Sequence, residues 1–129
     1  MTIVLPIPDR KISANSSRGQ SKKAAIIKSR HIKRHRSRAC TFTKKALGDL
    51  YHKQGRGVPQ FIGYSLAHYF PTAQVRDDDN ADSACKAYRD GIADALGIDD
   101  RQLRKLKLST ITKDAGNPRV EITLYTEPP

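Results

Sequence analysis

The sequence predicts a small two-layer α+β domain in which a mixed or antiparallel sheet carries a long basic helix and a second helix packed on it. Three observations predict it. The stretch from Gln20 to Leu47 contains neither Gly nor Pro, residues 81 to 96 repeat apolar side chains at helical spacing, and three other segments alternate apolar and polar residues as half-buried strands do. The chain's 129 residues suit one core, so residues 1–129 are read as one domain, with a basic half over 1–56 and a carboxylate-rich half over 58–126.

Residues 2 to 8 are short, apolar and punctuated by Pro, and predict an edge strand entering the polar, basic loop PDRKISANSSRGQ. In the long helix that follows, Ala25, Ile32, Ala39, Phe42, Ala46 and Leu50 recur at spacings of 7, 7, 3, 4 and 4 and are expected to face the core. Lys22, Lys23, Lys28, Arg30, Lys33, Arg34, Arg36 and Arg38 crowd the rest of its surface. Like charges three and four residues apart repel on a helix, and a phosphate partner relieves that repulsion, so these eight are read as the nucleic-acid-binding set, although charge alone does not distinguish DNA, RNA or an anionic membrane. His31 and His35, four apart, are read as a solvated or phosphate-contacting pair, because a third metal ligand is lacking nearby.

The run PQFIGYSLAHYFP alternates cleanly and predicts a central strand ending at Pro71, with Ile62, Tyr64, Leu66 and Phe70 on one face. Ala81, Ala84, Cys85, Tyr88, Ile92, Ala95 and Leu96 then predict one continuous helix, with Gly97 as its C-cap. Two further alternating runs, LRKLKLSTIT and RVEITLY, flank KDAGNP and predict a hairpin. Cys40 and Cys85 stand far apart without a CxxC, so both are read as buried thiols rather than a disulfide or zinc pair. No apolar run is long enough to span a bilayer and no signal-peptide order is present, which predicts a cytoplasmic protein with no membrane partner.

The net charge of +11 is unevenly spread. Residues 1 to 60 carry 15 Lys or Arg against Asp9 and Asp49, whereas residues 61 to 129 carry 9 against 11 acids. One part of the chain seeks a polyanion while the other gathers carboxylates. Asp77, Asp78, Asp79 and Asn80 stand between the central strand and the second helix, with Asp82 behind them and Asp99 and Asp100 beyond the helix. Helix capping needs one such oxygen, and the remaining carboxylates raise one another's pKa unless a cation neutralises them. Oxygen-only ligation favours Mg²⁺, Mn²⁺ or Ca²⁺ over zinc. In an extended segment Asp77 and Asp79 project to the same side. Carboxylate-held metal beside a basic helix is the arrangement that hydrolyses a phosphodiester, and no GxxxxGK[ST] phosphate cradle offers an alternative nucleotide chemistry.

The segment VRDDDNADSACKAYRDGIADALGIDD resembles the active-site region of RusA-type Holliday-junction resolvases, above all their phage-encoded relatives, in which D-x-D-N leads into a helix carrying a Lys and then a paired Asp. LRKLKLSTITKDAGNPRVEITLY is similar to that family's closing hairpin, and LPIP with ISANS more faintly to its opening strand and loop. The resemblance implies that Asp77, Asp79 and Asp100 are metal-binding catalytic carboxylates and that Lys86 assists at the scissile phosphate. It further implies a Mg²⁺-dependent endodeoxyribonuclease, with Mn²⁺ as substitute and no organic cofactor, acting as a homodimer on four-way or related branched DNA. Between Asn80 and Lys86 this chain carries about three residues more than the family pattern, so Arg89 is the alternative phosphate ligand should Lys86 point away.

One straight helix over residues 81 to 96 would measure about 24 Å, whereas residues 97 to 100 reach back only about 13 Å. Asp100 would then meet Asp79 only if the helix were shorter, if it tilted, or if Asp100 served the partner subunit. The rival to a nuclease is a non-catalytic basic nucleic-acid-binding accessory protein of the same fold, with an RNA-associated basic protein as a third reading.

Overall fold

The computed structural model describes residues 1–9, 22–73 and 78–129, and these form five strands and three α-helical segments, with two short 3-10 turns between them. The strands and α-helices are β1 (Thr2–Leu5), α1 (Lys22–Leu50), β2 (Gly63–Phe70), α2 (Asp78–Ala84), α3 (Lys86–Leu96), β3 (Arg104–Lys105), β4 (Thr110–Lys113) and β5 (Arg119–Tyr125). The architecture is α+β, with a long helix and a second helical segment beside a mixed five-stranded sheet. Among the described residues no helix is long and apolar enough to cross a membrane.

Alternation in the strands decides which sheet face is covered. Ile3 and Leu5 of β1, Tyr64 and Leu66 of β2, and Val120, Ile122 and Leu124 of β5 are buried and form one core with Ala39, Leu47, Cys85, Tyr88 and Ile92 from the helices. Strand β5 runs antiparallel to both neighbours, with Ile122 opposite Ile3 on one side and Leu66 on the other. As expected, β1 lies at an edge and β2 is central, ending at Phe70 just before Pro71.

The predicted hairpin does not form. β4 pairs with β2 in parallel and β5 pairs with β2 antiparallel, so the two lie on opposite sides of that strand. The KDAGNP segment instead passes the end of β2, where the Asp114 N–H donates to the Phe70 carbonyl at 2.8 Å. The reason is burial: β5 places three buried apolar side chains in the core, whereas β3 and β4 expose Arg104, Lys105 and Lys113 and belong at an edge, where charge blocks further pairing. β3 and β4 act as two pieces of one interrupted edge, set against Gly63–Tyr64 and Ala67–Phe70.

Helix α1 forms where expected, but its core stripe is rotated. The buried residues are His35, Ala39, Thr43 and Leu47, while Ala25, Ile32, Phe42 and Leu50 are exposed and only Ala39 of the expected stripe is fully buried. Apolar spacing alone missed this face because half of it is polar and satisfied internally. Thr43 donates from Oγ1 to the Ala39 carbonyl at 2.7 Å. His35 Nε2 accepts the Asp9 N–H at 3.1 Å, which makes Nδ1 the protonated nitrogen that donates to the His31 carbonyl at 2.7 Å. His35 is therefore a buried neutral clamp between the end of the first segment and α1, not half of a solvated or phosphate-contacting pair, and burial lowers its pKa.

Small residues let α1 approach α3. A Cβ on Gly91 would collide with the Arg36 carbonyl oxygen and stand 3.0 Å from Ala39 Cβ, so the helices touch backbone to backbone. The predicted single helix over residues 81–96 is broken at Cys85 (φ −88°, ψ 2°), whose N–H turns back to the Asp82 carbonyl at 3.0 Å. The break separates α2 from α3, the segment that packs on α1. Gly97 caps α3 in the left-handed region (φ 69°), as expected, and the Ile98 N–H closes the cap on the Ala93 carbonyl at 3.1 Å. Cys85 is buried as expected, whereas Cys40 is half-buried.

Candidate active site and nucleic-acid interface

After the Gly97 cap the chain reverses through a tight turn. Asp99 accepts the Arg101 N–H at 3.0 Å, and Gln102 Oε1 accepts the Asp99 N–H at 2.9 Å, a reciprocal capping box. The paired acids thus divide their work. Asp99 builds the turn and is held far below the ordinary carboxylate range, first by the Arg101 guanidinium. Asp100 faces back over α3, and its Oδ2 comes within 3.9 Å of Lys86 Nζ in the same chain. Asp100 thus returns to the start of α3 within its own chain, at Lys86 rather than at Asp79.

Lys86 opens α3, and its Nζ also lies 3.2 Å from Asp90 Oδ2, one turn along. Another turn on, Asp94 receives Nε and Nη2 of Arg36 at 2.6 and 2.8 Å. This two-pronged bond lowers the Asp94 pKa and raises that of Arg36. Lys86, Asp90, Asp94, Asp99, Asp100 and Arg36 line an open cavity of about 330 Å³ between α3, the turn and α1. Arg36, read from sequence with the nucleic-acid-binding set, thus stands at the acidic cavity. Asp90 and Asp94 were missed, although their spacing of four and eight residues from Lys86 on a helix was visible in the sequence. Arg89 turns elsewhere: its Nη1 donates to the Tyr64 hydroxyl at 3.1 Å and its guanidinium lies 5.5 Å from that ring, leaving Lys86 as the lysine of the cavity.

Asp77 lies outside the described residues. Asp79 is exposed on α2 and does not line the cavity. Its charge acts instead on Lys105, whose pKa is raised mainly by a hydrogen bond to Asp82 and further by Asp79. Among the described residues no three of His, Cys, Asp and Glu gather closely enough to hold a metal ion. The donor types nevertheless suit a hard cation: the exposed acids Asp79 and Asp100 offer oxygen, while the Cys85 thiol is buried and its pKa is pushed up to about 12, which removes it as a soft ligand.

On α1, Lys23, Arg30, Arg34 and Arg38 fall at spacings of 7, 4 and 4, on the side away from the buried stripe, and all are exposed. They form a ridge about 22 Å long at 1.5 Å per residue. Lys22 and Lys33 are exposed beside it, and Lys28 is half-buried. Among the described residues, no ion pair joins an acid to Lys23, Arg30, Arg34 or Arg38, and Asp9, the acid that meets α1 from the first segment, pairs with His31 at 3.3 Å.

No protein-family profile matches the chain. Over 63 residues it is 44% identical to a protein of Xylella fastidiosa (strain Temecula1 / ATCC 700964) described as an uncharacterized protein. The aligned stretch is 48% of this chain and 41% of the relative, so the chain spans less than half the length of the relative it matches.

Proposed function

We propose that this protein is a metal-dependent endodeoxyribonuclease that cuts four-way or related branched DNA, acting as a homodimer in the manner of the RusA-type resolvases its central segment resembles. The observation that carries the proposal is the return of Asp100 to Lys86 within one chain, beside a cavity that also receives Arg36 from the basic helix. Asp100 and Lys86, which the resemblance assigns to one active site together with Asp77 and Asp79, lie within 3.9 Å of each other, and that proximity supports the reading.

In this reading the ridge of α1 grips the phosphate backbone flanking the cut. Lys86, held between Asp90 and Asp100, presents an ammonium to the scissile phosphate, where it offsets negative charge that grows during hydrolysis. Asp79 and Asp100, joined by Asp77, would hold Mg²⁺ or Mn²⁺. When bound, such an ion lowers the pKa of a coordinated water and neutralises charge on the phosphodiester.

The test is cleavage of a synthetic four-way junction with Mg²⁺ or Mn²⁺ against EDTA. Wild type is expected to cut only with metal, Asp79→Asn and Asp100→Asn to stop cutting while still binding, and Lys86→Met to slow cleavage by about 10²-fold or more. A chain that binds junctions, never cuts them with either metal, and is indifferent to Asp79→Asn is no nuclease. The basic ridge supports the rival reading as well, since a non-catalytic nucleic-acid-binding protein needs the ridge alone, and binding without cutting decides for it. Tighter binding to structured RNA than to the junction would redirect both.

A further inference from the structure

Helix α2 carries Asp79, yet none of its described residues is buried. At seven residues it is too short to persist by its own backbone bonds, and it sets no apolar face into the core. Among the described residues, the Asp82 side chain ties it to the sheet. Asp82 Oδ1 lies 2.8 Å from Nε2 of His68 in β2 and accepts from Ser109 Oγ at 2.7 Å, and its Oδ2 accepts from Lys105 Nζ of β3 at 2.6 Å. His68 is 2% exposed, and the Asp82 side chain 17%. Burial by itself would raise the Asp82 pKa, but the bonds from Lys105, His68 and Ser109 outweigh it and hold the carboxyl below its ordinary value.

We propose that Asp82 is the positioning residue of the active site: one carboxylate, bonded to the central strand and to both ends of the segment that links β3 to β4, sets the depth and direction of α2 and thereby of Asp79. Asp79 and Asp82 stand three residues apart, on one face of the helix. Where other elements are located by burial, this one is located by charge-assisted hydrogen bonds, which are directional and fix orientation more tightly than apolar contact does. The catalytic consequence rests on the nuclease reading; the clamp itself does not.

Two measurements separate them, made on Asp82→Ala and on Lys105→Met, which removes one tie of the clamp and serves alone if Asp82→Ala does not fold. Hydrogen exchange at the amides of residues 82–85 is expected to accelerate by about tenfold or more while amides of α3 and β2 keep their protection. In junction cleavage, kcat is expected to fall by about tenfold or more with KM held within about threefold, whereas Asp49→Asn, an exposed acid of α1, leaves both unchanged. Unaltered exchange at residues 82–85 in a folded variant overturns the clamp. Faster exchange with unchanged kcat overturns the positioning role. If wild type cuts no junction, the nuclease reading falls and the exchange result alone decides whether the clamp stands.

Discussion

Helices α1 and α2 are held to the same domain by opposite means. Over its 29 residues α1 meets α3 through Ala39 and Gly91, a contact of small residues in which backbone approaches backbone. Over its seven residues α2 has no buried side chain among those described and relies on the three bonds of Asp82. The difference governs charge. Because α1 is secured on its buried side by close packing, its outer side can carry Lys23, Arg30, Arg34 and Arg38, none of which has an ion-pair partner among the described residues. Near α2 and α3, by contrast, carboxylates and cations are matched locally: Asp82 with Lys105, Asp90 with Lys86, Asp94 with Arg36. Four of the chain's cations thus stand together on one helix face, apart from the matched pairs around α3.

Three variants break or sharpen that contrast. The largest effect is expected from Gly91→Ala, because the new methyl meets the Arg36 backbone carbonyl, which cannot swing aside. Denaturant unfolding should show a loss of about 3 kcal/mol or failure to fold. Gly48→Ala is the matched control on α1: nothing lies within 4 Å of its added methyl, and helix propensity favours it. An equal loss at both positions would refute the close-contact account of α1.

Next comes the triple change Arg30→Gln, Arg34→Gln and Arg38→Gln. Affinity for a DNA junction should fall by about 10²-fold near 0.1 M salt, and the slope of log affinity against log salt should shrink by about 3. Melting temperature should hold or rise, since like charges along one face are removed. Undiminished affinity would remove the ridge from the interface.

The smallest effect is a pH dependence at His35. Its pKa lies below the ordinary 6.5 because of burial, so in mild acid the unfolded chain binds the proton more readily than the folded one. The contribution of His35 to stability is therefore complete above about pH 6.5 and lost as pH falls through the lowered folded value. Melting curves between pH 7.5 and 5 should show this loss in wild type and less of it in His35→Leu. Identical pH profiles would show that the proton leaves the Asp9–His35 bond intact.

Much of this was legible in the sequence where the signal is local. The edge strand, the central strand ending at Pro71, the long helix, the Gly97 cap and the buried Cys85 each follow from spacing or from one residue's conformational preference. The site was legible in part. Asp99 and Asp100 stand beside each other in the chain, but only the turn shows that Asp99 builds it and Asp100 faces Lys86. The buried face of α1 was hidden because His35 and Thr43 look like surface residues until their backbone partners are seen. Asp82 was hidden for a similar reason: His68, Lys105 and Ser109 lie 14, 23 and 27 residues away.

By itself, then, the sequence determined the kinds of element, their order and the surplus of positive charge on one helix, because helix period, strand alternation and glycine caps act over a few residues. Only the tertiary structure decided that β2 separates β4 from β5, that the second helix breaks at Cys85, and which cation each acid meets. Those outcomes depend on which surfaces bury one another, and a carboxylate looks the same in sequence whether its partner is one turn or one strand away.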